Sequence, residues 1–205
     1  MPHHTWTIID AGAYKGKYTE LCENSVGSDG HIYAIEPNPI FYAELKNKFG
    51  NGRHPNIRLF EAALGDEVTE TTFYASDEFA STSSFNRDHA ALFSGRSREI
   101  RVLQMTLDQL LENEHIEGVE MAKIDVEGAE LRLLMGAAKS LENGIIRRMI
   151  IEVHEDIVGM ADIKKFLSKY PYKIRVVMTT SARTRKYLYA RYDKSKAGRI
   201  SITAK

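Results

Sequence analysis

The chain has 205 residues, 43% of them hydrophobic, and balances 28 Lys+Arg against 28 Asp+Glu for a formal net charge of zero. That length and apolar content suit one domain with its own core and a single insertion, while the balanced charge leaves no net field for nucleic acid or an anionic membrane. A lone cysteine, Cys22, excludes an intramolecular disulfide and a cysteine-built zinc site; with no basic, apolar leader in Met1–Trp6 and no run near the roughly 18 apolar residues of a membrane span, a soluble cytoplasmic protein is expected.

Along the chain, short apolar runs alternate with longer segments of helical period, which predicts parallel strands joined by crossover helices in a doubly wound α/β sheet. Thr7-Ile8-Ile9 reads as the first strand, closed by Asp10-Ala11-Gly12, and Tyr18 to Cys22 as part of a helix with Cys22 packed in the core. His31 to Ile35 is the second strand, Ile40 to Phe49 the next helix with Pro39 in its first turn, and Ile57 to Ala63 the third strand. Over about 68–105 the rhythm breaks into an insertion: Thr71 to Tyr74 reads as a short antiparallel strand, Ser81 to Ser84 as a loop, and Arg98 to Met105 as the partner strand. Thr106 then caps a helix, Leu107 to Asn113, and Glu120 to Ile124 is the fourth core strand, running into Asp125. Helix Ala129 to Leu141, strand Met149 to Val153 and helix Ala161 to Tyr170 restore the alternation. Lys173 to Met178 and Lys186 to Tyr192 close the chain as a hairpin turning near Ser181-Ala182, and Lys194 to Lys205 is expected to be disordered.

In open α/β sheets ligands sit beyond the carboxyl ends of the strands, where strand order reverses. Asp10-Ala11-Gly12-Ala13-Tyr14-Lys15-Gly16 follows the first strand, although any tight strand-to-helix turn favours glycine. Glu36 ends the second strand, where a carboxylate can accept hydrogen bonds from both hydroxyls of a ribose. A pyrophosphate turn requires G-x-G-x-x-G; here Asp10 replaces the first glycine, and Gly12 and Gly16 are wrongly spaced. An acidic residue in that turn repels pyrophosphate and attracts the ammonium and sulfonium groups of S-adenosylmethionine, which favours a methyl donor.

Six segments together resemble the FkbM family of methyltransferases: Ile9 to Gly16, Tyr33 to Pro39, Glu61 to Gly65, Thr106 to Asp108, Lys123-Ile124-Asp125-Val126-Glu127-Gly128-Ala129-Glu130, and Ile151 to His154. The resemblance spans about residues 7–154, and its Lys123–Glu130 block is the most specific part. It implies a seven-stranded Rossmann-like methyltransferase sheet, mostly parallel, and O-methylation of a hydroxyl on a sugar, nucleotide sugar or secondary metabolite. It also implies a donor site formed by Asp10, Gly12, Ala13, Tyr14, Gly16, Glu36, Pro37 and Asn38, with Ala62 beside the adenine and Asp125 facing the methyl group. Ser84 belongs to a serine-rich stretch that the resemblance places near the donor, and S-adenosylhomocysteine is the implied product.

For the transfer itself, Asp125, Glu127 and Glu130 follow the fourth strand while Glu152 and His154 end the fifth, so these groups are expected around one crevice. His154, with an intrinsic pKa of about 6.5, is the simplest proton acceptor, and Asp125, Glu127 and Glu152 are the further catalytic candidates. The acids in the first helical turn also suit the helix dipole. Asp125, Glu127 and Glu152 together offer oxygens for a magnesium or calcium ion, but D-x-E spacing is not diagnostic and no metal is expected.

From Arg183 to Lys205 eight basic residues face one acid, Asp193, with Tyr187, Tyr189 and Tyr192 interleaved. This reads first as a solvated hairpin; as a binding surface it favours an anionic small-molecule acceptor. RNA 2′-O-methylation and a non-catalytic donor-binding domain are the alternatives, the former opposed by neutral charge and the absence of an RNA-binding motif.

Overall fold

The computed structural model describes residues 6–27, 29–76, 83–85, 97–178 and 186–197. In chain order its elements are β1 (Thr7–Ala11), α1 (Lys17–Val26), β2 (His31–Ile35), α2 (Pro39–Phe49), β3 (Ile57–Phe60), β4 (Ala63–Leu64), β5 (Thr69–Ser76) and β6 (Ser97–Met105). There follow α3 (Leu107–Asn113), β7 (Met121–Ile124), α4 (Glu130–Met135), α5 (Ala138–Glu142), β8 (Arg148–Glu152), α6 (Met160–Leu167), β9 (Tyr172–Met178) and β10 (Lys186–Tyr192).

Among the described residues ten strands divide into a seven-stranded sheet, β3-β2-β1-β7-β8-β10-β9, and a three-stranded sheet, β4-β6-β5. In the large sheet β3, β2, β1, β7 and β8 run parallel, and β10 enters antiparallel between β8 and β9. Chain order reverses between β1 and β7, so the ends of these two strands form the switch-point crevice of an open α/β sheet. Alternate residues of one strand enter opposite layers: Ile8 and Ile32 pack with Cys22, Leu45 and Phe49, whereas Ile9, Tyr33 and Ile35 join Leu107, Leu110, Leu133 and Leu141 on the other face. Strands β1 and β2, packed on both faces, accordingly carry consecutive apolar residues at Ile8-Ile9 and Ile32 to Ile35.

Three boundaries depart from the sequence expectations. The run Ile57 to Ala63 is not one strand: Phe60 still pairs with Ile35, but Ala63 has left the large sheet to pair with Gln104 of β6. The helix expected over Ala129 to Leu141 is two helices, because Asp108 intervenes. Its backbone N–H donates to the Gly136 carbonyl at 2.9 Å, and its carboxylate accepts from the N–H groups of Lys139 and Ser140, starting α5 afresh. A Cβ on Gly136 would stand 1.9 Å from the Gly65 carbonyl oxygen, so only glycine permits this close approach. At the C-terminus Lys194–Lys196 forms a turn of 3-10 helix capped by Asp193, in place of the expected disorder. The remaining tail residues, the hairpin turn at Ser181-Ala182, and Ser81 and Thr82 lie outside the described residues.

The insertion follows the expected pairing, with Thr72 opposite Arg101 in an antiparallel ladder, and Thr106 caps α3 by accepting from the Gln109 N–H at 3.1 Å.

Candidate active site

A cavity of about 750 Å³ opens at the switch point. Its floor is the β1–α1 turn, Ala11 to Tyr14; Glu36 and Pro37 stand on one side, Asp125 to Glu127 on the other, and Ala62, Ala63, Leu64, Phe73 and Phe85 form a wall belonging to the insertion and its approach. Gly12 has φ +75°, and a Cβ there would lie 1.8 Å from the Asp125 carbonyl oxygen, so glycine is dictated by backbone packed on backbone. The N–H groups of Gly12 and Ala13 both donate to the Ile35 carbonyl at 3.0 Å, tying the turn to the end of β2.

Glu36 completes the turn from the other strand. One carboxylate oxygen accepts from the Tyr14 N–H and the other from the Asn38 N–H, each at 2.9 Å. Burial pushes its pKa up to about 7 against these two hydrogen bonds. Each oxygen keeps a second lone pair for a ligand hydroxyl.

The structure brings Gly12, Ala13, Tyr14, Glu36, Pro37, Ala62, Asp125 and Glu127 to the cavity and turns Asp10, Gly16, Asn38, Ser84, Glu152 and His154 away from its lining. Asp10, expected to meet a cationic ligand, is fully buried beneath the turn, where it accepts from the Thr19 hydroxyl at 2.6 Å and faces Lys123 at 3.4 Å. Gly16 is a packing glycine: a Cβ would strike the Phe49 ring at 2.4 Å. Asn38 caps α2 and donates to the Ser83 hydroxyl at 3.1 Å. Ser84, expected near the donor, donates its hydroxyl to the Glu127 carbonyl at 2.7 Å. Glu152 ends β8 opposite Tyr187 and does not line the cavity.

That acid group is held by His154. Its Nε2 lies 3.0 Å from Glu127 and 3.9 Å from Asp125, and its Nδ1 lies 2.7 Å from the fully buried Glu130. Burial opposes the imidazolium, but the hydrogen bonds and charges of Glu127 and Glu130 outweigh it and raise the pKa to about 11. His154 is therefore a cation at neutral pH, and its expected role as the proton acceptor does not fit this geometry. Its stabilising effect is present in full below the unfolded value of about 6.5 and is lost as pH rises through about 11. Accordingly, His154→Gln is expected to remove no limb near 6.5 from the pH–rate profile, where Glu36, at about 7, titrates instead; a limb near 6.5 that disappears in His154→Gln would restore histidine as the base.

Asp125, Glu127 and His154 place their ligating atoms within 4.8 Å of one another, so a small cation could also use them. An imidazolium with both N–H groups donated to carboxylates has no lone pair for a metal. Chelator treatment should accordingly leave the rate unchanged, and loss restored by magnesium would contradict that.

Lys123 escaped the sequence reading. Its Nζ donates to the Gly12 carbonyl at 2.6 Å and sits 3.4 Å from both Asp10 and Asp125, joining the glycine turn to the end of β7. The available signal was a lysine within the apolar strand Met121–Ile124. Glu127 has φ +50°, a left-handed conformation that costs an L residue roughly 1–2 kcal/mol and aims its side chain beside Asp125.

Residues 10–174 match the Methyltransferase FkbM domain. Over 162 residues the chain is 25% identical to the Hexuronic acid methyltransferase AglP of Haloferax volcanii, covering 79% of this chain and 61% of that protein. Methyltransferase FkbM from Methylobacillus flagellatus superposes with a TM-score of 0.67 at 16% identity, over 91% of this chain and 43% of that one. Aeropyrum pernix fibrillarin, solved with natively bound S-adenosyl-L-methionine, shares the fold with a TM-score of 0.52 at 17% identity, over 91% of this chain and 66% of that one. The chain thus spans about three fifths of the length of the haloarchaeal relative and less than half of the Methylobacillus chain.

Proposed function

This chain belongs to the FkbM family of S-adenosylmethionine-dependent methyltransferases, and from that premise we propose that it methylates a hydroxyl of a sugar, nucleotide sugar or secondary metabolite. The observation that carries the reading is the Asp125–Glu127 carboxylate pair, which lines the same cavity as the Gly12–Tyr14 turn and is held by one imidazolium. The relative that acts on a hexuronic acid supports a saccharide acceptor.

The donor suits the site chemically: both Glu36 oxygens keep a lone pair for ribose hydroxyls, and the acids outnumber the cations around the methyl-facing end. S-adenosylmethionine supplies a methyl group already activated on a sulfonium. The turn and Glu36 would hold it, with Ala62 beside the adenine, and Asp125 would take the proton from the attacking hydroxyl. A carboxylate is a strong enough base for this, because the hydroxyl becomes strongly acidic only as its oxygen bonds to the methyl carbon. His154 fixes Asp125 and Glu127 in place, so positioning provides much of the rate.

Incubation with methyl-labelled S-adenosylmethionine and separate pools of neutral oligosaccharides, uronic-acid saccharides, nucleotide sugars, metabolite extract and RNA tests this reading. Alkali-stable label in a saccharide or metabolite is expected, as a methyl ether requires. Label released by mild alkali would place the methyl on a carboxylate, and label in RNA would replace the small-molecule acceptor altogether.

For the donor, Glu36→Ala should weaken S-adenosylhomocysteine binding by roughly 1–3 kcal/mol, the scale of lost charge-assisted hydrogen bonds. Calorimetry on a folded variant decides the matter, and unchanged affinity would remove Glu36 from the ribose role.

A further inference from the structure

The peptide unit between Glu127 and Gly128 is gripped from two sides. Its carbonyl accepts from the Ser84 hydroxyl at 2.7 Å, and its N–H donates to Glu130 at 3.1 Å. Both residues of that unit lie in the left-handed region, Glu127 at φ +50° and Gly128 at φ +96°. Ser84 is buried and anchored to the insertion, since its own N–H and carbonyl pair with Tyr74 at 3.1 and 2.9 Å. Next to it, Ser83 accepts from Asn38, and Phe85 packs edge to face on Phe73. A three-residue piece of the insertion therefore spans from the β2–α2 loop, which carries Glu36, to the turn that carries Glu127.

We propose that Ser84 is a positioning residue for methyl transfer, whose hydroxyl holds the Glu127–Gly128 peptide in its left-handed form so that the Glu127 carboxylate faces the cavity. Without that hydrogen bond the partly buried carbonyl has lost its side-chain donor, and the turn has less reason to keep a conformation that L residues avoid. Glu127 then swings away from His154, and Asp125 loses a neighbour that shares the imidazolium. Ser84 touches neither donor nor acceptor in this account; it acts through the backbone of Glu127. The proposal rests on the Asp125–Glu127 pair being the reacting end of the site.

The test compares Ser84→Ala with the parent in three measurements: calorimetry with S-adenosylhomocysteine, a crystal structure, and single-turnover methyl transfer to the acceptor found in the pools described above. Donor affinity should stay within about twofold, the Glu127 carboxylate should leave His154, and the rate should fall roughly 10–10²-fold, the scale of a small misplacement at a reacting centre. In an Glu127→Ala background the same Ser84→Ala change should cost no further rate, because two residues acting through one group are not additive. Ser84→Cys keeps the volume with a weak donor and is measured in the same way if the alanine variant does not fold. An unchanged turn, a tenfold loss of donor affinity, or an equal rate loss with and without Glu127 would each overturn the proposal. Methyl transfer by the parent to none of the pools would instead sink the acceptor reading, and calorimetry and the crystal structure would still decide the role of Ser84.

Discussion

Asp125→Asn is expected to lower methyl transfer by about 10²–10⁴-fold, the range that a positioned general base contributes, while its melting transition stays close to that of the parent. The reason is placement. Asp125 lies past the end of β7, lines the cavity and is partly open to it, so its carboxylate supports no apolar core. One oxygen faces Lys123 at 3.4 Å and the other faces His154 at 3.9 Å, and asparagine nearly fills the same space without the negative charge. Donor affinity should change much less than the rate, since the turn and Glu36 are untouched. Retained activity would transfer the proton to Glu127, the only other carboxylate among the described residues that shares both His154 Nε2 and the cavity.

The other large effect is expected at Lys123. Lys123→Met removes the cation facing the fully buried Asp10, which also accepts a hydrogen bond from the Thr19 hydroxyl. Breaking a buried pair by deleting one partner costs about 3–5 kcal/mol, because the surviving charge is left desolvated. Burial already raises the Asp10 pKa, and Lys123 is the foremost influence lowering it again. In the variant that pKa climbs further. A group whose folded pKa lies above its unfolded value contributes stability at low pH and loses it as pH rises through the folded pKa. The deficit should therefore be smaller near pH 5 than near pH 8 in urea unfolding. A pH-independent deficit would mean that Lys123 matters for packing and for the Gly12 carbonyl, not for the charge of Asp10.

How far these residues were legible in the sequence depended on whether their role was local. The strands were readable because β1, β2, β7 and β8 are covered on both faces, and the periods of 2 and 3.6 survive in sequence. Thr106 and Pro39 announce helix starts through interactions spanning three residues or fewer. The break at Gly136 was invisible because its cause, Asp108, lies far away in the chain and in another helix. At the site, Gly12 and Glu36 follow from the general placement of ligands after strands. Asp10 misled because an acid in a glycine turn can point either way, and only the Thr19 and Lys123 contacts decide that it points inward. His154 misled through its reference pKa, which two carboxylates from the β7–α4 segment override. Lys123 and Ser84 act on backbone carbonyls 111 and 43 positions away, and no local pattern encodes such contacts.

On the proposed function, donor and proton acceptor share one cavity, with the methyl group directed at Asp125. A crystal structure with S-adenosylhomocysteine tests it most directly. The ribose hydroxyls are expected on Glu36, the sulfur over the Gly12–Tyr14 turn, and the Asp125 and Glu127 carboxylates on the side where the methyl group would project. A ligand whose sulfur points toward the Phe73–Phe85 wall, with Asp125 and Glu127 behind its adenine, would contradict it.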